Sequence, residues 1–561
     1  MSSGVSRRLA SGGKWQVASG RWQVAGFTLH VLRFTFHVSR FTFHIILLIL
    51  LTATFLAACK PAILETPPRL ATATAEQATL PTATPTPLLS AAPTPTGTAA
   101  AWDAGQSEDS GRPNAALTLW VNETSAAHAE ALASLAERFE QRHGLQVEWV
   151  MVAPELLPGL AQTAVLSGTL PDLIIHPVEY TIGWAERGIL DVEAASEAID
   201  QLGRDTFDPG ALALVEQDGG NAAIPSDGWQ QLVIYRTDWF AQKELAAPVN
   251  YTTLLTAAAT LSDTANLVSG FVVPTESDLV STQQVFEFLA TANGCPLVND
   301  QGEVLFVHPA CLEALDFYRD IINGYSPIGV QTDLSALNAY LAGRTGLIMA
   351  SPSALPAIAG LDDEARPSCP ECSTDDYLAQ NSGFITEIQG GGQFSTTTRF
   401  GEVTYLGITR AADRQAALTF AQFWFDEGYL DWLGVEPERK VPMRWGTAEN
   451  PRHFLEAWPE LPLAGSDRTL GDLFGPELVS QLSNSITQSR RWGLAQGQGA
   501  LITALYENLT LSLLLQEMLS GYFNTSQSIV EAYLRIVDLI PNYTFPLAVQ
   551  PTPTPTPFIR R

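Results

Sequence analysis

Apolar segments of two different periods take turns between Ala115 and Ile175, and this alternation restricts the possible folds more than any other feature of the chain. Residues 115–122 (Ala-Ala-Leu-Thr-Leu-Trp-Val-Asn) are a short apolar run of strand length. Residues 126–143 then place Ala129, Leu132, Leu135, Ala136 and Phe139 on one helical face, and Gly144 stops that helix. Residues 147–152 predict a second strand, 155–166 a second helix, and 172–175 a third strand ending in His176-Pro177. Strand and helix in strict alternation imply an α/β fold with a parallel, doubly wound sheet, which receives ligands at the carboxyl ends of its strands.

The flanks of the 561-residue chain cannot join such a core. The first sixty residues carry seven basic side chains and no acid. Within them, the 14 residues 45–58 are apolar apart from Thr52 and Thr54, too short for a bilayer span but suited to the core of a cleaved export signal. That core ends in Leu56-Ala57-Ala58-Cys59, which resembles the bacterial lipobox and implies diacylglycerol on the Cys59 thiol. The location that follows is extracytoplasmic, in the periplasm or on the outer face, anchored to the membrane by lipid. Before Arg40 the sequence repeats every seven residues without the apolar spacing of a coiled coil, as translated repetitive DNA upstream of a later start would. Residues 59–113, with Pro81-Thr82-Ala83-Thr84-Pro85 and Pro93-Thr94-Pro95, read as an extended tether, and residues 549–561 as a tail of the same character.

The folded body is therefore expected over residues 114–548, and 46% hydrophobic content gives it a sizeable core. Removing the first sixty residues takes the net charge from −28 to −35 and leaves only Lys243 and Lys440 of the four lysines. A surface this acidic excludes nucleic acid and anionic lipid as partners, since both demand a basic face. Four cysteines remain in a compartment that permits disulfides, and pairs Cys295–Cys311 and Cys369–Cys372 are expected. The alternative is a four-thiolate zinc site using the C-x-x-C spacing of residues 369–372, although Cys295 and Cys311 do not form a second knuckle.

A set of short segments then recurs in a fixed order. Leu117-Thr118-Leu119-Trp120 is followed by Phe139-Glu140 and Gly144-Leu145-Gln146-Val147, then by Gly168-Thr169-Leu170-Pro171-Asp172-Leu173. Ala223-Ile224-Pro225 leads to Tyr235-Arg236-Thr237-Asp238-Trp239-Phe240, and Tyr340-Leu341-Ala342-Gly343-Arg344 to Gly346-Leu347-Ile348-Met349. Tyr405-Leu406-Gly407-Ile408, residues 414–425 and Val441-Pro442-Met443-Arg444 close the series. Together these resemble the extracellular solute-binding proteins of ABC importers, the large sugar-binding family that includes maltose-binding protein. Arg236 stands where the family usually has Asn, and about ten extra residues separate the Gly390-Gly391-Gly392-Gln393-Phe394 run, similar to the family's glycine-rich cleft loop, from Tyr405.

The resemblance implies a two-lobed, type II periplasmic-binding-protein fold, with lobe 1 over residues 114–226 and 404–441 and lobe 2 over 227–403 and 442–548. Hinge crossings are expected near 225–232, 403–409 and 441–444, and closure about them traps the ligand. The implied function is capture of a small solute, a carbohydrate above all, for delivery to ABC permease subunits by a monomer that needs no cofactor or metal. Sugar recognition requires aromatic faces for the C–H side of the ring and amide, carboxylate or guanidinium groups for the hydroxyls. Strand ends and crossings supply candidates: Asn122, Glu123, His176, Glu179, Tyr180, Asp227, Trp229, Ser351, Arg444 and Trp445, with Phe394 from the glycine-rich run. Asp172 is expected to be a structural cap. No catalytic residue is implied, and no P-loop, G-x-S-x-G or H-E-x-x-H motif occurs. The alternatives are a sensing or adhesion lipoprotein without a transporter and a lipid-anchored glycoside hydrolase, for which a carboxylate pair would suffice.

Overall fold

The computed structural model describes residues 116–483 and 486–544. Cys59 and its lipobox, the repeats, the tether and the tail lie outside the described residues. Within them the strands run β1 (Leu117–Val121), β2 (Val147–Met151), β3 (Leu173–Pro177), the short pair β4 (Glu216–Gln217) and β5 (Gly220–Asn221), then β6 (Ile224–Gln230), β7 (Leu232–Arg236), β8 (Leu347–Ala350), β9 (Ser382–Ile385), β10 (Gly401–Ile408) and β11 (Val441–Pro442).

The first sheet has the order β11-β6-β10-β3-β1-β2. β1 pairs in parallel with β2 and β3, as the alternating pattern predicts. The crossover helix Ala126–His143 is capped by Ser125, whose hydroxyl accepts from the His128 amide, and it closes on Gly144 at φ 70°, where the amide donates to the Glu140 carbonyl. Its buried stripe of Leu132, Leu135 and Phe139 packs with Phe420 and Phe423 of the helix Arg414–Asp426.

The remainder of the sheet is mixed, not wholly parallel as expected. β10 runs antiparallel to both β3 and β6. The cause is connectivity: β6 leaves this sheet for the second one in the same sense as β1 to β3, whereas β10 brings the chain back and must run the opposite way. At the bulge between Thr404 and Tyr405 the register slips from Asp227 to Pro225, leaving Ser226 unopposed. Its carbonyl instead accepts from the Met443 amide at 2.9 Å and from the Tyr429 hydroxyl. Asp172 is structural: its carboxylate accepts from the amide and hydroxyl of Thr118, both at 2.8 Å, and from the Asp413 amide, fastening the start of β3 to β1 and to the cap of the helix Arg414–Asp426.

The second sheet has the order β8-β7-β9, with both neighbours antiparallel to β7. Gln231 alone separates β6 from β7, and its amide donates to the Phe400 carbonyl in the returning segment 386–400. The expected boundary at residue 226 falls inside β6, since residues 227–230 pair with β10. Nor does the chain cross at 441–444: β11 pairs with β6, and Arg444 bridges to Phe207. Helices beyond residue 450 serve both halves. Phe454 joins the core of the first sheet, and the helix Gly499–Glu507 lies against Val178–Glu186. That contact depends on Gly183, where an added Cβ would stand 2.5 Å from Thr503. The helices Thr510–Leu519 and Thr525–Asp538 pack with Val280–Ala292 and Pro309–Tyr325 in the second half. Cys295 is joined to Cys311 and Cys369 to Cys372, which leaves no thiolate for the zinc alternative.

Candidate functional site

The carboxyl ends of β1, β2 and β3 face the second sheet across a cavity of about 310 Å³. β1 ends in Asn122 and Glu123, β2 leads to Pro154 and Glu155, and β3 leads through Pro177 into Glu179 and Tyr180 on the first turn of Val178–Glu186. Trp229 of β6, Gln231 at the crossing and Glu402 of β10 continue the wall, with Arg439 from the turn before β11. The opposite wall comes from the second half: Asp278 to Ser281 and Gln284 at the start of Val280–Ala292, Asp333 at the start of Asp333–Leu341, and Ser351 after β8.

Charge is distributed unevenly over this lining. At one rim, Glu123 accepts from Arg439 and from Lys440 Nζ at 3.1 Å. Burial alone would raise the Glu123 carboxyl, but the two cations outweigh it and hold it at about 2. Beneath Glu123 the buried His128 lies 3.7 Å from that carboxylate and from Glu436. Burial, then Lys440, depress its imidazole to about 4, so it is neutral. These three side chains could approach one metal ion, yet Arg439 and Lys440 already supply the positive charge there.

At the floor the balance reverses. Glu402 accepts from Trp229 Nε1 at 3.3 Å and from the Gln284 amide. Glu179 is 1% exposed, and neither of its oxygens accepts a hydrogen bond from another residue; Arg491 Nη2 stays 3.7 Å away. Burial first, then the Glu402 carboxylate, push the Glu179 carboxyl up to about 8. Tyr180 stacks on Trp184 at 5.2 Å, and Trp229 stands beside the two carboxylates. An aromatic face among acceptors and amides suits a polyhydroxylated solute.

Of the residues proposed from sequence, Asn122, Glu123, Glu179, Tyr180, Trp229 and Ser351 meet at this cavity, and the others do not. His176 is fully buried against Trp184, its Nδ1 3.0 Å from the Pro177 carbonyl. Asp227 points into the first core, accepting from the Ser226 hydroxyl at 2.7 Å and Trp432 Nε1 at 3.0 Å. Arg444 is clamped by the carbonyls of Phe425 and Leu202 and by Asp426, between the rings of Phe207 and Phe454. Trp445 lines a separate groove beside Arg204 and Phe207. Phe394 packs edge-on against His308, 4.6 Å between ring centres, away from the cavity. Sequence reasoning missed Gln231, Gln284, Asp278, Ser281, Asp333, Glu402 and Arg439. A signal existed for two groups of them: Glu402 is the one acid in the strand Gly401–Ile408, and Thr275-Glu276-Ser277-Asp278 is a polar cluster just ahead of a helix.

Comparison with known proteins places this geometry among relatives. Residues 134–444 match the family model described as bacterial extracellular solute-binding protein. The putative ABC transporter periplasmic-binding protein YcjN of Escherichia coli (strain K12) is 24% identical over 407 residues, covering 68% of this chain and 90% of the relative. Among solved structures, an ABC transporter solute-binding protein from Thermotoga lettingae bound with α-D-tagatose superposes with a TM-score of 0.59 at 18% identity, over 76% of this chain and 99% of that one. Maltose-bound MalE3 of T. maritima gives 0.58 at 18% identity, over 76% and 100%.

Proposed function

Because the chain belongs to the family of bacterial extracellular solute-binding proteins, we propose that it captures a small carbohydrate or sugar alcohol between its two sheets and delivers it to an ABC permease. The observation that carries this reading is the cavity shared by both sheets, where Trp229 lies against carboxylates and side-chain amides contributed from both sides. The fold shared with tagatose- and maltose-bound proteins supports the same ligand class. Gln231 and the segment 386–400 would be the hinge, and Asn122, Glu123, Glu179, Tyr180, Trp229, Ser351, Gln231, Gln284 and Glu402 the ligand contacts. Closure of the lobes by a ligand that touches both is then the state a permease reads.

Thermal-shift screening of the full chain against monosaccharides, disaccharides and hexitols tests the reading. A binder present at a hundred times its Kd stabilises the folded state by about 2.7 kcal/mol, an unmistakable rise in melting temperature. Trp229→Ala should weaken that ligand by about 10- to 100-fold, the loss of one aromatic face, with the melting temperature of the free protein measured alongside. Hydrolysis of an oligosaccharide during incubation would instead favour a glycosidase.

Lipid on Cys59 would confine the receptor beside its permease. Cys59→Ser should shift the protein from the membrane fraction to the soluble one and abolish incorporation of a labelled fatty acid. Unchanged fractionation of the variant counts against the anchor.

A further inference from the structure

The floor of the cleft gathers three carboxylates around one guanidinium. Arg491 Nε donates to Glu287 at 3.0 Å, and its other nitrogens donate to the Gly401 carbonyl and the Tyr506 hydroxyl. Glu287 is saturated in turn, accepting from the Trp492 amide at 2.8 Å and from Tyr506 at 2.6 Å. The hydrogen bonds of Arg491 therefore go to Glu287 and not to Glu179 or Glu402, which share a cavity wall and only the distant part of one guanidinium's charge. Arg439, the one basic side chain on that wall among the described residues, is held by Glu123 and Glu436. Neither Glu179 oxygen accepts a hydrogen bond from another residue although the side chain is 99% buried, and its one ion pair, to Arg491 at 3.7 Å, is long. A buried carboxylate in this condition is costly, and the cost is relieved by a group that brings both positive charge and hydrogen-bond donors.

We propose that the solute carries a protonated amine, as an aminosugar or amino-alditol does, and that its ammonium is received between Glu179 and Glu402. This rests on the carbohydrate reading of the same cleft and narrows it. An ammonium offers three donors and a full charge, enough to serve Glu179 and the free lone pairs of Glu402 together. A neutral hydroxyl offers one donor and no positive charge, so it cannot draw the proton from the Glu179 carboxyl as an ammonium does. The acidic rim formed by Glu155, Asp278 and Asp333 favours the same sign of ligand.

Titration calorimetry on the full chain at pH 6.5 with matched pairs decides it: glucosamine against glucose, the chitosan-derived glucosamine disaccharide against cellobiose, and glucamine against sorbitol. The amine member of at least one pair should bind about tenfold tighter or more than its neutral partner, the yield of one charge-assisted hydrogen bond. Its affinity should also fall with added salt, and Glu179→Gln should bring the ratio close to one. Glu402→Gln should reduce the ratio in the same direction and serves where the first variant does not fold. Neutral members binding as tightly as the amines would overturn the proposal and leave the carbohydrate reading intact. No binding by any member would overturn both. An amine preference untouched by either variant would overturn the placement at Glu179 and Glu402.

Discussion

Arg491→Ala is expected to lower the unfolding free energy by about 3–5 kcal/mol, because it leaves the buried Glu287 carboxylate without its counter-charge while Glu179 and Glu402 stay close by. The guanidinium is 3% exposed and stacks over the Phe400 ring at 4.4 Å, so the change also opens a hole beneath the segment that returns the chain to the first sheet. Chemical denaturation followed by tryptophan fluorescence measures the loss directly. Arg491→Met combined with Glu287→Gln removes the unpaired carboxylate and should recover more than half of the deficit, since neutral or apolar groups of similar volume replace a buried pair at little cost. A double variant as unstable as Arg491→Ala would mean that packing around Phe400 and Tyr506, not charge, holds this region. Loss of less than about 1 kcal/mol in the single variant would show that the cluster is not buried in solution as it is in the structure.

What the chain discloses in sequence depends on how local the physics is. The strands and helices of the first 60 residues of the folded body are legible because neighbouring strands pair with one another, the helix Ala126–His143 lies against β2, and Gly144 marks a helix end through its own backbone conformation. Asn122, Glu179 and Trp229 are legible by the same logic, since a parallel sheet points its strand ends at one cleft. Position at a strand end does not say which way a side chain turns, however. His176, Asp227 and Arg444 satisfy the positional argument and yet point inward, where carbonyls and ring nitrogens bind them.

The glycine run failed for a different reason. Gly391 and Gly392 each donate an amide to Asn293 Oδ1 at 3.0 Å, and a Cβ on Gly390 would stand 2.4 Å from the Asn293 Cα. These glycines let the loop press against a helix end, and Phe394 goes with them to His308. Arg491 and Glu287 lie 204 residues apart, and no period or spacing could have joined them. The same holds for the helix Gly499–Glu507, whose partner Val178–Glu186 lies in the first half of the molecule.

Stability should fall as pH rises from 6.5 to 8, by about 2–4 kcal/mol. Burial, then Glu402, raise the Glu179 carboxyl to about 8, and burial, then Glu436, raise Glu438 to about 8. A carboxyl whose folded value lies above its unfolded value of 4.5 keeps its proton in the native state and loses it in the unfolded one. Its stabilising contribution is complete below 4.5 and disappears as pH climbs through 8. Opposing groups act elsewhere. Burial depresses His128 and His176 to about 4, so they add stability as pH rises from 4 to 6.5, and Glu123, held at about 2, does so between 2 and 4.5. Above 6.5 those contributions are complete; burial also raises Glu402, Asp227 and Asp333, which act in the same direction as the two glutamates. Each proton taken up on folding is worth about 1.4 kcal/mol per pH unit, which sets the expected fall. Denaturant midpoints at pH 6.5, 7.0, 7.5 and 8.0 read it. Glu179→Gln and Glu438→Gln should each reduce the slope, while a stability that is flat or rising across this span would contradict the environment of both carboxyls. An ammonium ligand in the cleft brings the positive charge that the Glu179 carboxylate lacks. Saturating glucamine, whose alkylammonium stays protonated across this span, should then flatten the Glu179 share of the slope and leave the Glu438 share in place, whereas sorbitol should leave both.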